Sequence, residues 1–198
     1  MGIQFIHLGI IMLLVGQLAT QAMQEESRMQ INKGESKNYL ERFHGVELAF
    51  IDVTDAQTER VVALPEALLE QGGLHYSEDL PFKVRVLDFG PNCEFNSLPP
   101  ASKAKGPTAG VNRGVIQSAN LEIRPKPEDF SSEGMNFGYV VFELLEGAES
   151  LGTWAAISHP AGNHWWAQIN PKMGDLAFQP IRTNGRLWGV TLRPEREY

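Results

Sequence analysis

The first 24 residues contain no Asp, Glu, Lys or Arg, and Gln24-Glu25-Glu26-Ser27-Arg28 then ends the uncharged run abruptly. Between Ile3 and Val15 only Gln4 and His7 carry polar side chains. About 20 residues at ~1.5 Å each cross the hydrocarbon core as a helix, and lipid leaves backbone amides few other options. This patterning predicts a transmembrane helix over residues 1–24. The competing reading is a cleaved secretory signal, with small residues around Ala19-Thr20-Gln21-Ala22 as the cleavage site. Met1-Gly2-Ile3-Gln4 lacks the Lys or Arg that opens such a signal. The same lack removes positive-inside evidence for orientation. A start placed directly on the apolar run reads as an upstream truncation, with earlier spans missing. Either reading puts the rest of the chain outside the cytoplasm.

His7 is the one ionisable side chain in this run. Holding such a group in lipid is costly, which makes a functional role the default. The alternative is a histidine near a helix end that reaches the headgroup layer and binds nothing.

All the charge lies after residue 24, so that part carries the full net −7. An acidic domain is a poor partner for nucleic acid, whose phosphates require a basic face, and it argues against the outer domain clinging to anionic lipid. The single cysteine, Cys93, excludes an internal disulfide framework, a CxxC redox centre and a cysteine-based zinc site. Its setting, Gly90-Pro91-Asn92-Cys93-Glu94, reads as a turn holding a passive thiol. No cysteine precedes Gln24, which rules out a lipoprotein anchor.

Residues 25–198 have the length of one ordinary domain. Met29 to Ser36 reads as a short strand running into a Gly turn. In Val46 to Val53, alternation puts Val46, Leu48 and Phe50 on one face of a half-buried strand. Arg60 to Leu64 is its return strand. Pro65 opens one helical turn, Glu66 to Glu70, which Gly72 stops. Phe82 to Phe89 alternates and then changes phase near Leu87, marking a bulge. Val115 to Ile123, Phe137 to Leu145, Trp154 to Ser158 and His164 to Ile169 are further strands. Leu176 to Arg182 and Arg186 to Leu192 flank Thr183-Asn184-Gly185, and Asn-Gly tolerates the positive φ of a tight hairpin turn. Ser97 to Gly114 is rich in Gly and Pro and poor in large apolar side chains, and reads as a mobile loop inside the domain. The fold class expected is an N-terminal transmembrane α-helix followed by a mainly-β extracytoplasmic domain, sandwich or barrel-like.

No GxSxG, GxxxxGK or HExxH motif is present. His159 and His164, five apart, could clip a metal, but further ligands are not visible nearby and an exposed loop pair is the plainer account. His44 and His75 read as surface positions. His164-Trp165-Trp166 could pack on haem, but adjacent strand side chains point to opposite faces, so a structural role is favoured. Trp154 and Trp188 are expected in or at the edge of the core.

Several blocks, in order, carry a likeness. They are Ile6-His7-Leu8-Gly9, the run to Gly16-Gln17 and Met29-Gln30-Ile31-Asn32-Lys33-Gly34-Glu35. Val46-Glu47-Leu48-Ala49, Leu80 to Val86, Gly185-Arg186-Leu187-Trp188 and Leu192-Arg193-Pro194-Glu195-Arg196 follow. In this order the chain resembles the ResB family of cytochrome c biogenesis proteins, at the span leading into the large extracytoplasmic domain. The resemblance implies a system II role: working with a ResC-type membrane protein to move haem outward and attach it to apocytochrome c. It implies a haem-ligating histidine within the bilayer, and His7 holds the matching position. A neutral imidazole suits such a bond. Family members have further spans and continue past the Arg-Pro-x-Arg stretch, so the chain is expected to be C-terminally truncated, a fragment or one piece of a split gene. The reading from a different class is a secreted or anchored β-sandwich binding or structural module without cofactor.

Overall fold

The computed structural model describes residues 2–23, 27–31, 33–34, 36–55, 58, 60–100, 102–129, 136–158 and 179–197. Helix α1, Gly2–Met23, takes in nearly all of the uncharged segment. Its large apolar side chains stand exposed on every side, from Ile3 to Leu18. A helix apolar all round and buried against nothing in its own chain has the character of a membrane span. By length and composition it can cross a membrane, a test that a signal sequence also passes.

The rest is mainly β, in antiparallel sheets. Short β1 (Ser27–Arg28) and then β3 (Arg60–Pro65) pair with β2 (Leu40–Asp52). The other edge of β2 pairs with β11 (Arg186–Glu197), which pairs in turn with β10 (Gln179–Thr183). A second sheet runs β4 (Gly73–His75), β5 (Lys83–Gly90), β8 (Tyr139–Glu146), β9 (Glu149–Ile157). Strands β6 (Cys93–Ser97) and β7 (Leu121–Pro125) form a separate ribbon.

The two larger sheets face one another across one apolar core, so the arrangement is a sandwich. Leu48, Phe50, Trp188, Val190 and Leu192 come from the first sheet, and Val84, Val86, Val140, Phe142 and Trp154 from the second. Phe50 meets Phe142 edge-on at 6.0 Å, and Phe82 meets Trp188 at 5.8 Å. Each such aromatic pair adds about 0.5–1.5 kcal/mol to what area burial supplies. Trp154 and Trp188 are thus both core residues, as the strand reading expects.

Strand β8 buries Tyr139, Val140, Val141 and Phe142 in succession. Alternate side chains point to opposite faces, so both faces of the second sheet are covered here. The far face is closed by the β6–β7 ribbon and α3 (Gly114–Ser118), which supply Cys93, Ile116, Leu121 and Ile123. The turn-like setting expected for Cys93 is instead the start of a paired strand. Burial holds its thiol protonated, with a pKa pushed up to about 12.

Local signals were reliable elsewhere. Asn184 (φ 49°) and Gly185 (φ 72°) make the two-residue turn between β10 and β11. Leu87 is the extra residue of a bulge between Val86 and Asp88. Helix α2, Glu66–Gln71, starts after Pro65 and ends at Gly72 (φ 64°).

One segment differs from expectation. Residues 115–118 form the helical turn α3 rather than a strand, because Ile116 reaches the core from a turn that Asn120 (φ 49°) then ends. The segment 97–114 follows a path held by polar contacts. It contains a 3-10 helix, Gly106–Gly110, in which buried Thr108 Oγ1 accepts from Ile123 N and donates to Lys105 O. Asn120 Nδ2 donates to Pro99 O at 2.9 Å, and Asn112 exchanges hydrogen bonds with both backbone groups of Thr153. These side-chain-to-backbone bonds leave no hydropathy signature, so composition alone could not reveal them.

Candidate functional site

His7 lies on α1, where its Nδ1 is 2.7 Å from the carbonyl oxygen of Ile3 one turn earlier. A carbonyl oxygen only accepts, so Nδ1 is the donor in this contact. Ile3, Ile10 and Ile11, the helix-face neighbours of His7, are all more than half exposed. The chain thus presents one imidazole on an apolar helix surface. The helix contains no second histidine or cysteine, and no group of three or more His, Cys, Asp or Glu among the described residues could hold a metal ion.

His75 is half-buried on β4, with Nε2 3.1 Å from Gly72 O. His44 lies on β2, its side chain outside the described residues, as are His159, His164, Trp165 and Trp166.

Beyond α1 the chain enters a charged junction at one end of the first sheet. Ser27 and Arg28 pair with Arg42 and Glu41 of β2. Glu41 lies between Arg28 (3.8 Å) and Arg196 (3.4 Å), and Arg196 stacks over Tyr39 at 3.9 Å. Arg42 pairs with Glu197 at 2.8 Å. Deeper in, Arg193 Nε donates to Glu47 Oε1 at 2.7 Å, with both side chains under a tenth exposed. Burying a charge is tolerated only when it is paired, so each of these two residues requires the other.

The junction also holds a crowded carboxylate. Glu66 Oε2 accepts the Val46 N–H at 3.2 Å, and a Cβ added to Gly45 (φ 98°) would meet Glu66 and Glu195 oxygens at 3.2 Å each. Burial, with Glu70, Glu128 and Glu195 nearby, raises the pKa of Glu66 above the usual carboxylate range. At the opposite end of β2, hydrogen bonds from Thr54, then Arg186, lower that of Asp52.

Sequence reasoning passed over Glu47 and Arg193 as site residues. Alternation along β2 puts Glu47 opposite Leu48, on the face a half-buried strand gives to water, so nothing local signals its burial. Open clefts of about 450 Å³ among the described residues include one at the Asn184-Gly185 turn and one between Lys103, Thr108, Ile116 and Asn120. Neither lining contains His, Cys, Asp or Glu.

No protein-family model, curated protein or solved structure matches this chain.

Proposed function

We propose that the chain is a membrane-anchored component of a cytochrome c maturation complex, aiding haem transport and its attachment to apocytochrome c. In this reading α1 crosses the cell's inner or plasma membrane and the β-sandwich stands on the extracytoplasmic side. The protein acts as an assembly factor beside a ResC-type membrane partner, not as a catalyst. The resemblance of its blocks to the ResB family motivates the proposal. The observation that carries it is His7: an imidazole on an uncharged helix, with Nδ1 2.7 Å from Ile3 O.

Haem, when bound, would supply the coloured iron centre that is carried and delivered. His7 would give one nitrogen ligand, oriented by its bond to Ile3. Ile3, Ile10 and Ile11 would offer apolar surface beside it. The second ligand falls to the partner.

The test is the absorption spectrum of protein purified from membranes after co-expression with the ResC-type partner, as wild type and as His7→Ala. A Soret band that weakens or shifts in the variant, at unchanged protein level, is expected. Identical spectra remove His7 as a ligand. Absence of haem from both favours the anchored or secreted module without cofactor, and a mature N-terminus lacking residues 1–22 ends the membrane-ligand reading.

A further inference from the structure

The residues that leave α1 do not form a free linker. Three residues separate Met23 from Ser27, so their Cα atoms lie no more than about 14 Å apart. Ser27 and Arg28 are then fixed in register against Arg42 and Glu41. Continuing that register places Met29 across from Leu40. Whatever layer holds the end of α1 is therefore close to this end of the sheet. Strand β2 runs from Leu40 to Asp52, about 40 Å at the usual rise, so the Asn184-Gly185 turn next to Asp52 is far from it.

The end near α1 has a distinct surface. Met29 (43% exposed), Ile31 (52%) and Leu40 (37%) are large apolar side chains left open to the surroundings. Residues 27–42 contain four cations, Arg28, Lys33, Lys37 and Arg42, against two carboxylates, Glu35 and Glu41. The same end also carries Glu66, Glu195 and Glu197, so its charge is mixed. Lys33 is exposed, and Lys37 lies 5.5 Å from the ring centre of Tyr39, which Arg196 also covers. Apolar side chains mixed with lysines and a tyrosine suit the boundary between headgroups and acyl chains.

We infer that this end of the sandwich rests on the lipid headgroup layer, with Met29, Ile31 and Leu40 entering the interface and Lys33 and Lys37 beside the phosphates. The domain is then held upright on the membrane by two attachments, α1 and this footing. The inference rests on α1 being retained as a membrane span.

The test uses the full chain in phosphatidylcholine vesicles, with and without phosphatidylglycerol. Single introduced cysteines, Leu14→Cys, Ile31→Cys and Arg182→Cys, are labelled with an environment-sensitive dye; Cys93 is buried and its thiol protonated, so it does not compete. Nitroxide lipids with the quencher shallow or deep report depth. The Leu14 label is expected to respond to the deep quencher, the Ile31 label to the shallow one with a blue-shifted emission, and the Arg182 label to neither. Phosphatidylglycerol should strengthen Ile31 quenching, and Lys33→Glu with Lys37→Glu should abolish that gain. An Ile31 label that behaves like Arg182 while Leu14 is quenched overturns the footing and leaves the span intact. A Leu14 label beyond reach of the deep quencher overturns the span itself. Quenching of Ile31 that ignores both anionic lipid and the lysine changes overturns the part given to the cations.

Discussion

Between Val46 and Asp52, β2 pairs with β11 without a register shift, and Leu48 and Phe50 point into a core shared with the second sheet. Between Leu40 and Gly45 the same strands slip: Glu195 alone on β11 stands against residues 42–45 on β2. Ion pairs are prominent there, Glu41 with Arg196 and Arg42 with Glu197. Apolar packing is non-directional and needs area, so the far half is regular and dense. Charged contacts are directional and weak when exposed, so the near half serves to place β1, and through it α1, more than to hold the fold together. The Glu47–Arg193 pair sits at the border between the two halves.

Substitutions should separate these halves. Trp188→Ala removes the largest fully buried side chain of the regular half and its contact with Phe82. Denaturant unfolding should show a loss of about 3–5 kcal/mol. A loss under about 1 kcal/mol would mean that this half is not the centre of stability.

At the border, Glu47→Ala leaves Arg193 buried without its carboxylate and should cost about 3–4 kcal/mol. Replacing both by well-fitting apolar residues, Glu47→Leu with Arg193→Met, should recover most of that. Failure to recover would assign the pair a role that packing cannot replace.

The smallest change belongs to Glu66. Its folded pKa lies above its unfolded value, so its stabilising contribution is fully present below the unfolded pKa and is lost as pH rises through the folded one. Glu66→Gln keeps an acceptor for Val46 N–H and removes the buried charge. The variant should melt higher than wild type at neutral pH, with the difference vanishing in acid. Asp52, at the regular end, has the opposite sign: its stabilisation is present above its unfolded pKa and fades as pH falls through the folded one. Thermal melts of Glu66→Gln and Asp52→Asn across pH should therefore diverge in opposite directions, and parallel profiles would refute the contrast.

Much of the fold was legible because its signals are local. Pro65 and Gly72 bracket α2, Asn184-Gly185 sets a hairpin, and a phase change at Leu87 marks a bulge; each depends on a few neighbouring dihedrals. The segment 97–114 and α3 were not legible, since their geometry depends on Thr108, Asn112 and Asn120 finding backbone groups on β7, β9 and a nearby loop. The candidate site divides the same way. His7 stands out from its uncharged surroundings, whereas the contact of its Nδ1 with Ile3 O shows only in the structure.

The sequence alone determined that an uncharged 24-residue segment precedes an acidic, strand-rich domain with one cysteine, because composition and period are properties of the chain itself. Only the tertiary structure decided that β2 pairs with β11 from the far end of the chain, that Glu47 and Arg193 meet in the interior, and that β1, just past the end of α1, pairs with β2. Those are contacts between residues up to about 150 positions apart, and which of many possible partners a strand takes is settled by burying the whole apolar face at once.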